Sequence, residues 1–188
     1  IENTYDLLLN LLEWSKLQRK KSLPVPEQFK ISEVIDDIVS QLNVISELKN
    51  ISIETEIIKD QWIYYDLTMF GTIIRNLVGN AIKFSHKNGK IVISAYSENE
   101  DFIICKVRDN GIGMDEERTR QIFDEDNIQS TPGTGGETGT GLGLAITHEF
   151  VKLNGGKLFV ESKPGEGSSF YFSIPTKIPG EILPQNEA

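Results

Sequence analysis

Cysteine is almost missing from this chain of 188 residues; Cys105 is the only one. One thiol permits no internal disulfide, which fits a reducing compartment. Cys105 lies in an apolar run and is expected to serve as a small buried hydrophobe. Basic residues are in deficit: 19 Lys and Arg face 28 Asp and Glu, a net charge of −9. That balance argues against a nucleic-acid footprint and favours solubility. No apolar run approaches the roughly 20 residues needed to span a bilayer. There is no initiator methionine and no signal sequence at Ile1. The helical pattern is already under way there, so the chain is expected to be a piece of something longer. Repeats and low-complexity segments are also lacking. The length suits one domain with a real core, with room for an appended helix.

What is present concentrates on Asn76-Leu-Val-Gly-Asn80-Ala-Ile-Lys83. At 100° per residue, Leu67, Phe70, Ile73, Ile74, Leu77, Val78, Ala81 and Ile82 share one broad arc of a helix. Asn76, Asn80 and Lys83 gather on the opposite side, one turn apart. An amide oxygen is a neutral, hard ligand for Mg²⁺, which prefers few protein ligands plus nucleotide phosphates. A lysine is a mobile point charge for phosphate. Taken alone, the same face is also compatible with a solvated surface.

Two glycine-bearing motifs follow. Asp109-Asn-Gly111-Ile-Gly113-Met114 comes directly after the apolar run Phe102–Val107. That order places a carboxylate at the lip of a sheet, beside backbone free to take unusual angles. Such a carboxylate suits the exocyclic amine of adenine. Gly139-Thr-Gly141-Leu-Gly143-Leu-Ala-Ile146 is a glycine-rich loop opening into an apolar helix. Backbone N–H groups at a helix start, helped by the dipole, bind phosphate. A Rossmann fingerprint would need a strand just before the loop. The preceding residues, Asp126 to Thr138, are polar and glycine-rich, which excludes it.

The remaining pattern is coarse but continuous. Residues 2–22 read as a helix with two apolar stripes, as in a bundle, ended by Pro24 and Pro26. Phe29–Ile31 is a short strand. Ser32 is a candidate N-cap for a helix over Glu33–Lys49, with Val34, Ile35, Ile38, Leu42 and Ile45 on its apolar side. Ile51–Ile57 alternates as a half-buried strand, Gln61–Tyr65 is a short strand, and Asp66 caps the Asn-bearing helix. Lys90–Ser97 and Asp101–Arg108 form a hairpin, and a short helix follows Asp115. Asp124–Thr138 carries no packing signal. The helix from Gly141 ends at Asn154-Gly155-Gly156. Lys157–Ser162 and Ser169–Pro175 form a last hairpin, and the tail from Thr176 is expected to fray.

In order, Asn76…Asn80, Asp109-x-Gly111-x-Gly113, Phe123, Gly139-x-Gly141-x-Gly143 and Gly165-x-Gly167 resemble the N, G1, F, G2 and G3 boxes of the sensor histidine kinase ATP-binding domain. The resemblance covers about residues 29–176. It implies an α+β fold of Bergerat type, a two-layer sandwich in which a mixed sheet of about five strands is covered by about three helices. It implies an ATP-binding catalytic domain over residues 27–176 and a flexible tail over 177–188. Residues 1–26 would be the remnant of a dimerisation and phosphotransfer helix with its linker; Glu13-Trp-Ser-Lys-Leu-Gln-Arg19 resembles the end of that helix.

The family's chemistry is transfer of the ATP γ-phosphoryl group to a histidine, which needs mostly positioning and charge neutralisation. ATP and Mg²⁺ are the implied cofactors. By resemblance, Asn80 would ligate Mg²⁺, Asn76 would support metal or phosphate, and Lys83 would contact phosphate. Asp109 would hydrogen-bond the adenine amine, and Gly111 and Gly113 would let the chain pass close to the base. Gly139, Gly141 and Gly143, with Leu142 and Leu144, would cradle phosphates, and Thr140 could add a hydroxyl. Gly165 and Gly167 would form the turn beside the adenine pocket, near Ser169. Phe123 would border the nucleotide. The implied partners are the phosphoacceptor helices of a homodimeric parent and, through them, a response regulator receiver domain. The implied site of action is the cytoplasm, whether or not the parent is anchored in the inner membrane.

Three features depart from the family or divide it. Phe123 is followed by Asp-Glu-Asp126, without the second aromatic many members carry, so closure of a lid over 124–138 is left open. The phosphoacceptor helix is not in the sequence, and neither His86 nor His148 stands in the family's acceptor context. Related ATPases of this fold carry a Glu where this chain has Asn76; an amide cannot act as a general base. The expected acceptor is therefore a side chain on another segment rather than water. Two other readings stay open: a nucleotide-sensing or scaffolding module without transfer, and a serine/threonine kinase of the same fold.

Overall fold

A computed structural model describes residues 23–58, 61–124, 131–137 and 139–176, and these described residues form eleven elements. In order they are β1 (Glu27–Lys30), α1 (Ile31–Leu48), β2 (Ser52–Ile57), β3 (Trp62–Tyr65), α2 (Leu67–Phe84), β4 (Lys90–Ser97), β5 (Phe102–Asp109), α3 (Glu116–Gln121), α4 (Leu142–Leu153), β6 (Leu158–Lys163) and β7 (Gly167–Pro175). The helix expected over residues 2–22 and the tail from 177 lie outside the described residues.

Five strands make a mixed sheet in the order β2-β4-β5-β7-β6. β2 and β4 run parallel, and the other pairs are antiparallel. The parallel pair needs a crossover, and the chain supplies it with β3 and α2. β1 and β3 form a separate two-stranded ribbon. The long helices α1, α2 and α4 cover one face of the sheet, so the sandwich has two layers.

Helix α2 is the keel of the core. Asp66 caps it by accepting from the Met69 N–H at 2.9 Å, which satisfies a donor the first turn would leave free. Met69, Phe70, Ile73, Ile74, Leu77, Val78, Ala81 and Ile82 are buried, as the helical period requires. Leu67, at the exposed start, is not. Phe70 meets the rings of Phe29, Tyr65 and Phe172 at 5.3, 5.9 and 6.0 Å. Strand alternation sends Ile91, Ile93 and Ala95, then Ile103, Cys105 and Val107, then Phe170, Phe172 and Ile174 into the same layer. Asp109 is next in that series on β5 and is carried to its buried end.

The sequence reading needs two corrections here. Helix α1 starts at Ile31, with Lys30 at its cap position and no side-chain cap; Ser32 lies inside the first turn. The Ile31 N–H instead donates to the Gln61 carbonyl, so tertiary contact replaces the local cap. Ile45 is 50% exposed. The buried position is Ser46, whose hydroxyl donates to the Asn43 carbonyl and whose own carbonyl accepts from Lys49 and Ile51 as the chain turns into β2. Ile45 and Ser46 both lie near the edge of the face set by Ile31, Ile35 and Ile38, and the turn into β2 buries Ser46.

Candidate functional site

The site is assembled where the C-terminal end of α2, the end of β5, the β6–β7 turn and the start of α4 meet. Asp109 is 5% exposed. Its Oδ1 accepts from the Gly111 N–H at 2.8 Å and the Ser168 N–H at 3.3 Å, and among the described residues no other residue donates to Oδ2. Burial raises the Asp109 carboxyl above its ordinary value, against the pull of those backbone N–H groups.

The glycines flanking Asp109 pack protein backbone on protein backbone. A Cβ on Gly113, at φ +65°, would lie 1.9 Å from the Lys163 carbonyl oxygen. A Cβ on Gly167, at φ +95°, would lie 2.1 Å from the Asp109 carbonyl oxygen. At Gly111 the Phe84 carbonyl oxygen would be 2.3 Å away. The family resemblance gave Gly111 and Gly113 a role beside the base; here their missing side chains bring the β5–α3 loop, the end of α2 and the β6–β7 turn into one platform. The Gly165 N–H donates to the Ile112 carbonyl at 2.7 Å and closes it.

Ser169 is displaced from the expected role. It pairs with Arg108 and Glu161 across the sheet. Because Phe170, Phe172 and Ile174 face the helices, alternation sends Ser169 to the opposite face with Tyr171. Ser168 is the residue at the site, through its N–H on Asp109. Counting parity back from Phe170 puts Ser168 on the helix-facing side, but its contact with Asp109 is made across strands.

On α2 the three polar residues have different surroundings. Asn76 Nδ2 donates to the Gly143 carbonyl at 3.0 Å and to Thr147 Oγ1 at 3.3 Å, so this amide ties α2 to the first turn of α4. Asn80 is half-buried, and among the described residues no hydrogen bond engages its side chain. Lys83 Nζ lies 4.8 Å from the Phe84 ring centre. Burial lowers the Lys83 ammonium below its ordinary value, with Glu137 opposing. No group of three or more His, Cys, Asp or Glu converges among the described residues, and Glu137 is the carboxylate whose charge reaches Lys83.

Gly141 holds the N-cap of α4 at φ 76°. Thr140 Oγ1 accepts from the Leu142 N–H at 3.1 Å, so the hydroxyl already serves one of the free donors of that helix start. The N–H groups that follow, from Gly143 and Leu144, belong to the first turn of the helix, where no carbonyl of the same helix is available to them. Leu142 and Leu144 pack against the core. Gly139 precedes them in exposed chain.

Phe123 lies flat against His148, ring centres 5.7 Å apart at 18°. His148 is half-buried, with Nδ1 buried and without a hydrogen-bond partner among the described residues. His86 is exposed in the loop after α2. Burial pushes the Cys105 thiol up to about 12, so this group is an inert filler.

The stretch read as lacking any packing signal is anchored where it is described. The Thr134 N–H donates to the Lys83 carbonyl at 3.1 Å, and the Gly133 N–H to the Glu137 carbonyl at 2.8 Å. Lys49, at the end of α1, reaches Glu137 Oε1 at 2.6 Å. Sequence reasoning singled out none of Lys49, Thr134 and Glu137, since no local pattern links residues so far apart. Residues 125–130 and 138 lie outside the described residues.

Comparison with known proteins bears on this geometry. Residues 65–178 match the family model described as histidine kinase-, DNA gyrase B-, and HSP90-like ATPase. The adaptive-response sensory kinase SasA of Prochlorococcus marinus is 31% identical over 177 residues, covering 93% of this chain and 46% of SasA. The chain thus spans about half the length of that relative. The catalytic domain of histidine kinase ThkA, in a nucleotide-free form, has a TM-score of 0.70 at 28% identity, over 81% of this chain and 96% of that one. Histidine kinase ThkA in complex with response regulator protein TrrA shares the fold, with a TM-score of 0.73 at 23% identity over 95% of this chain and 50% of that one.

Proposed function

The chain belongs to the histidine kinase-, DNA gyrase B- and HSP90-like ATPase family, and we propose that it is the ATP-binding catalytic part of a two-component sensor histidine kinase. In this reading residues 27–176 bind ATP and present its γ-phosphoryl group to a histidine on a separate helix. The observation that carries it is the buried Asp109 carboxylate, held through Oδ1 by two backbone N–H groups while Oδ2 is left to accept. An isolated buried carboxylate is costly. A ligand donor such as the adenine amine repays that cost and selects for the base.

The phosphate end follows from α2 and α4. Asn80 offers an uncommitted amide oxygen on the face shared with Lys83, and Mg²⁺ held there by Asn80 would neutralise phosphate charge. Lys83 would add its own positive charge near the transferring group. The start of α4, with Gly139, Gly141 and Leu142 shaping the turn and the N–H groups of Gly143 and Leu144 as donors, would hold phosphate oxygens. Asn76 would act by fixing α2 against that helix start. Thr140 would act by stabilising the same turn. Phe123, stacked on His148, would border the nucleotide. Because Asn76 cannot take a proton from water, hydrolysis should be slow and an external side chain should be the acceptor.

The rest of the reading concerns the parent. Residues 1–26 would be the end of a dimerisation helix and linker, and 177–188 a tail. The parent would be a homodimer that passes phosphate on to a response regulator; histidine kinase ThkA is known in complex with one, TrrA. It would act in the cytoplasm, where ATP is available. Among the described residues no helix is long and apolar enough to cross a membrane.

The test is nucleotide affinity with and without Mg²⁺ for this chain, Asn80→Ala and Asp109→Ala. Asp109→Ala should lose binding under both conditions, and Asn80→Ala should lose only the part that depends on Mg²⁺. Binding unchanged in both variants would remove the assignment. Adding a phosphoacceptor helix should give acid-labile phosphate on histidine; acid-stable phosphate would point to serine or threonine.

A further inference from the structure

The C-terminal end of α2 is closed by groups from three other parts of the chain. The last carbonyls of a helix lack internal partners and carry its negative dipole end. Here the Ile82 carbonyl accepts from Lys49 Nζ at 2.9 Å, and the Lys83 carbonyl from Lys49 Nζ at 3.0 Å. The Lys83 carbonyl also accepts from the Thr134 N–H, and the Phe84 carbonyl accepts from the Ile112 N–H. The Ser85 carbonyl accepts from Thr134 Oγ1 at 2.6 Å and from Lys49 Nζ at 3.4 Å. Lys49 Nζ also donates to Thr134 Oγ1 at 2.8 Å and pairs with Glu137 Oε1 at 2.6 Å.

One ammonium therefore sits among five oxygens: three carbonyls, a hydroxyl and a carboxylate. It has only three protons to donate. The surroundings resemble the shell of a bound monovalent cation more than a set of single hydrogen bonds. The Lys49 side chain is 12% exposed, and a charge that buried persists only when paired and hydrogen-bonded. Glu137 supplies the countercharge, and the helix end supplies the dipole. On one side this cation holds α2, with Asn80 and Lys83. On the other it holds residues 134–137, which lead to the Gly139–Gly143 run.

We propose that Lys49 is a positioning residue for nucleotide binding, a tethered cation whose five-oxygen cage docks residues 134–137 on the phosphate-facing end of α2. This rests on the nucleotide-binding reading above. Lys49 itself touches no nucleotide; it sets the fraction of molecules in which both halves of the phosphate site are in place. If its loss leaves that fraction at about a tenth, apparent affinity falls about tenfold.

The experiment is equilibrium binding of a fluorescent ATP analogue with Mg²⁺, beside thermal melts, for the full chain, Lys49→Ala, Lys49→Met and Glu137→Gln. Lys49→Ala should bind about tenfold more weakly, and methylammonium should restore its binding by refilling the cage. Lys49→Met should bind as weakly and not respond, since its own side chain fills the path. Glu137→Gln should weaken binding with little change in melting temperature, because its carboxylate is partly exposed. If Lys49→Ala does not fold, Glu137→Gln alone decides: unchanged affinity overturns the proposal. A lower melting temperature with unchanged affinity in Lys49→Ala, or no response to the amine, also overturns it. Failure of the unaltered chain to bind the analogue would instead refute the nucleotide-binding reading itself.

Discussion

The side-chain amide of Asn76 donates to the carbonyl oxygen of Gly143 at 3.0 Å, joining the middle of α2 to the first turn of α4. The contact also explains a glycine inside that helix. A Cβ on residue 143 would lie 3.3 Å from Asn76 Oδ1, closer than an amide held by two hydrogen bonds can readily concede.

That contact predicts a coupling. Asn76→Ala should cost about 1 kcal/mol, the usual net worth of a hydrogen bond. Gly143→Ala gains helix propensity of up to about 1 kcal/mol but meets Asn76. In the Asn76→Ala background the clash is gone, so Gly143→Ala should be more favourable there by at least about 0.5 kcal/mol. Denaturant melts of the four proteins measure the cycle, and strict additivity would refute the account.

Asp109→Asn separates stability from function. Burial raises the Asp109 carboxyl in the folded state. A raised folded value means stability is full below the unfolded value and is lost as pH rises through the folded one. At neutral pH the ionised carboxylate is therefore a cost, and Asp109→Asn should melt at the same temperature or higher, with the gap closing as pH is lowered. Its amide still accepts from Gly111 and Ser168 but presents N–H to the ligand. ATP affinity should fall roughly tenfold to a hundredfold, the worth of a hydrogen bond to a charged group. A variant both less stable and equally tight in ATP binding would contradict this.

Glu137 gives the opposite sign. Its burial favours the neutral form, but the Lys49 hydrogen bond and the N–H groups of Glu137 and Gly135 outweigh that and hold the carboxyl below its ordinary value. Docking of 133–137 should thus be complete above the unfolded carboxylate value and weaken as pH falls through the lower folded one. Amide protection factors at Gly133 and Thr134 report it. They should drop in acid before those of Leu77 and Val78 in the core.

Two neighbouring glycines with similar backbone angles should behave differently. Gly165, at φ +77°, has open space where a Cβ would go. Gly165→Ala should cost only the left-handed penalty, roughly 1 to 2 kcal/mol. Gly167, at φ +95°, would drive a Cβ into the Asp109 carbonyl oxygen. Gly167→Ala should cost well above about 2 kcal/mol and weaken nucleotide binding by shifting Ser168 away from Asp109. Equal melting temperatures for the two variants would show that the turn yields.

Periodicity and glycine punctuation made most of the elements legible, because both act within a few residues of chain. The arc from Phe70 to Ile82, the alternation of Ile91, Ile93 and Ala95, and the cap at Asp66 are local facts, and each appears in the structure within a residue or two. Asn80 and Asp109 were located the same way, each read from its own helix or strand end. Ile45 and Ser32 misled because two local rules each allowed a second register, and contacts at either end of α1 decided between them.

By itself, then, the sequence determined which residues share a face and where the chain may turn, since backbone geometry repeats every two or 3.6 residues. It could not say that Asn76 would be spent on Gly143, that Ser168 rather than Ser169 would support Asp109, or that Lys49 would reach Thr134 and Glu137. Those choices join residues separated by 59 to 88 positions. They were made only when α2, the sheet and α4 closed on one another, because hydrogen bonds and ion pairs depend on ångström-scale distances that no local window of sequence contains.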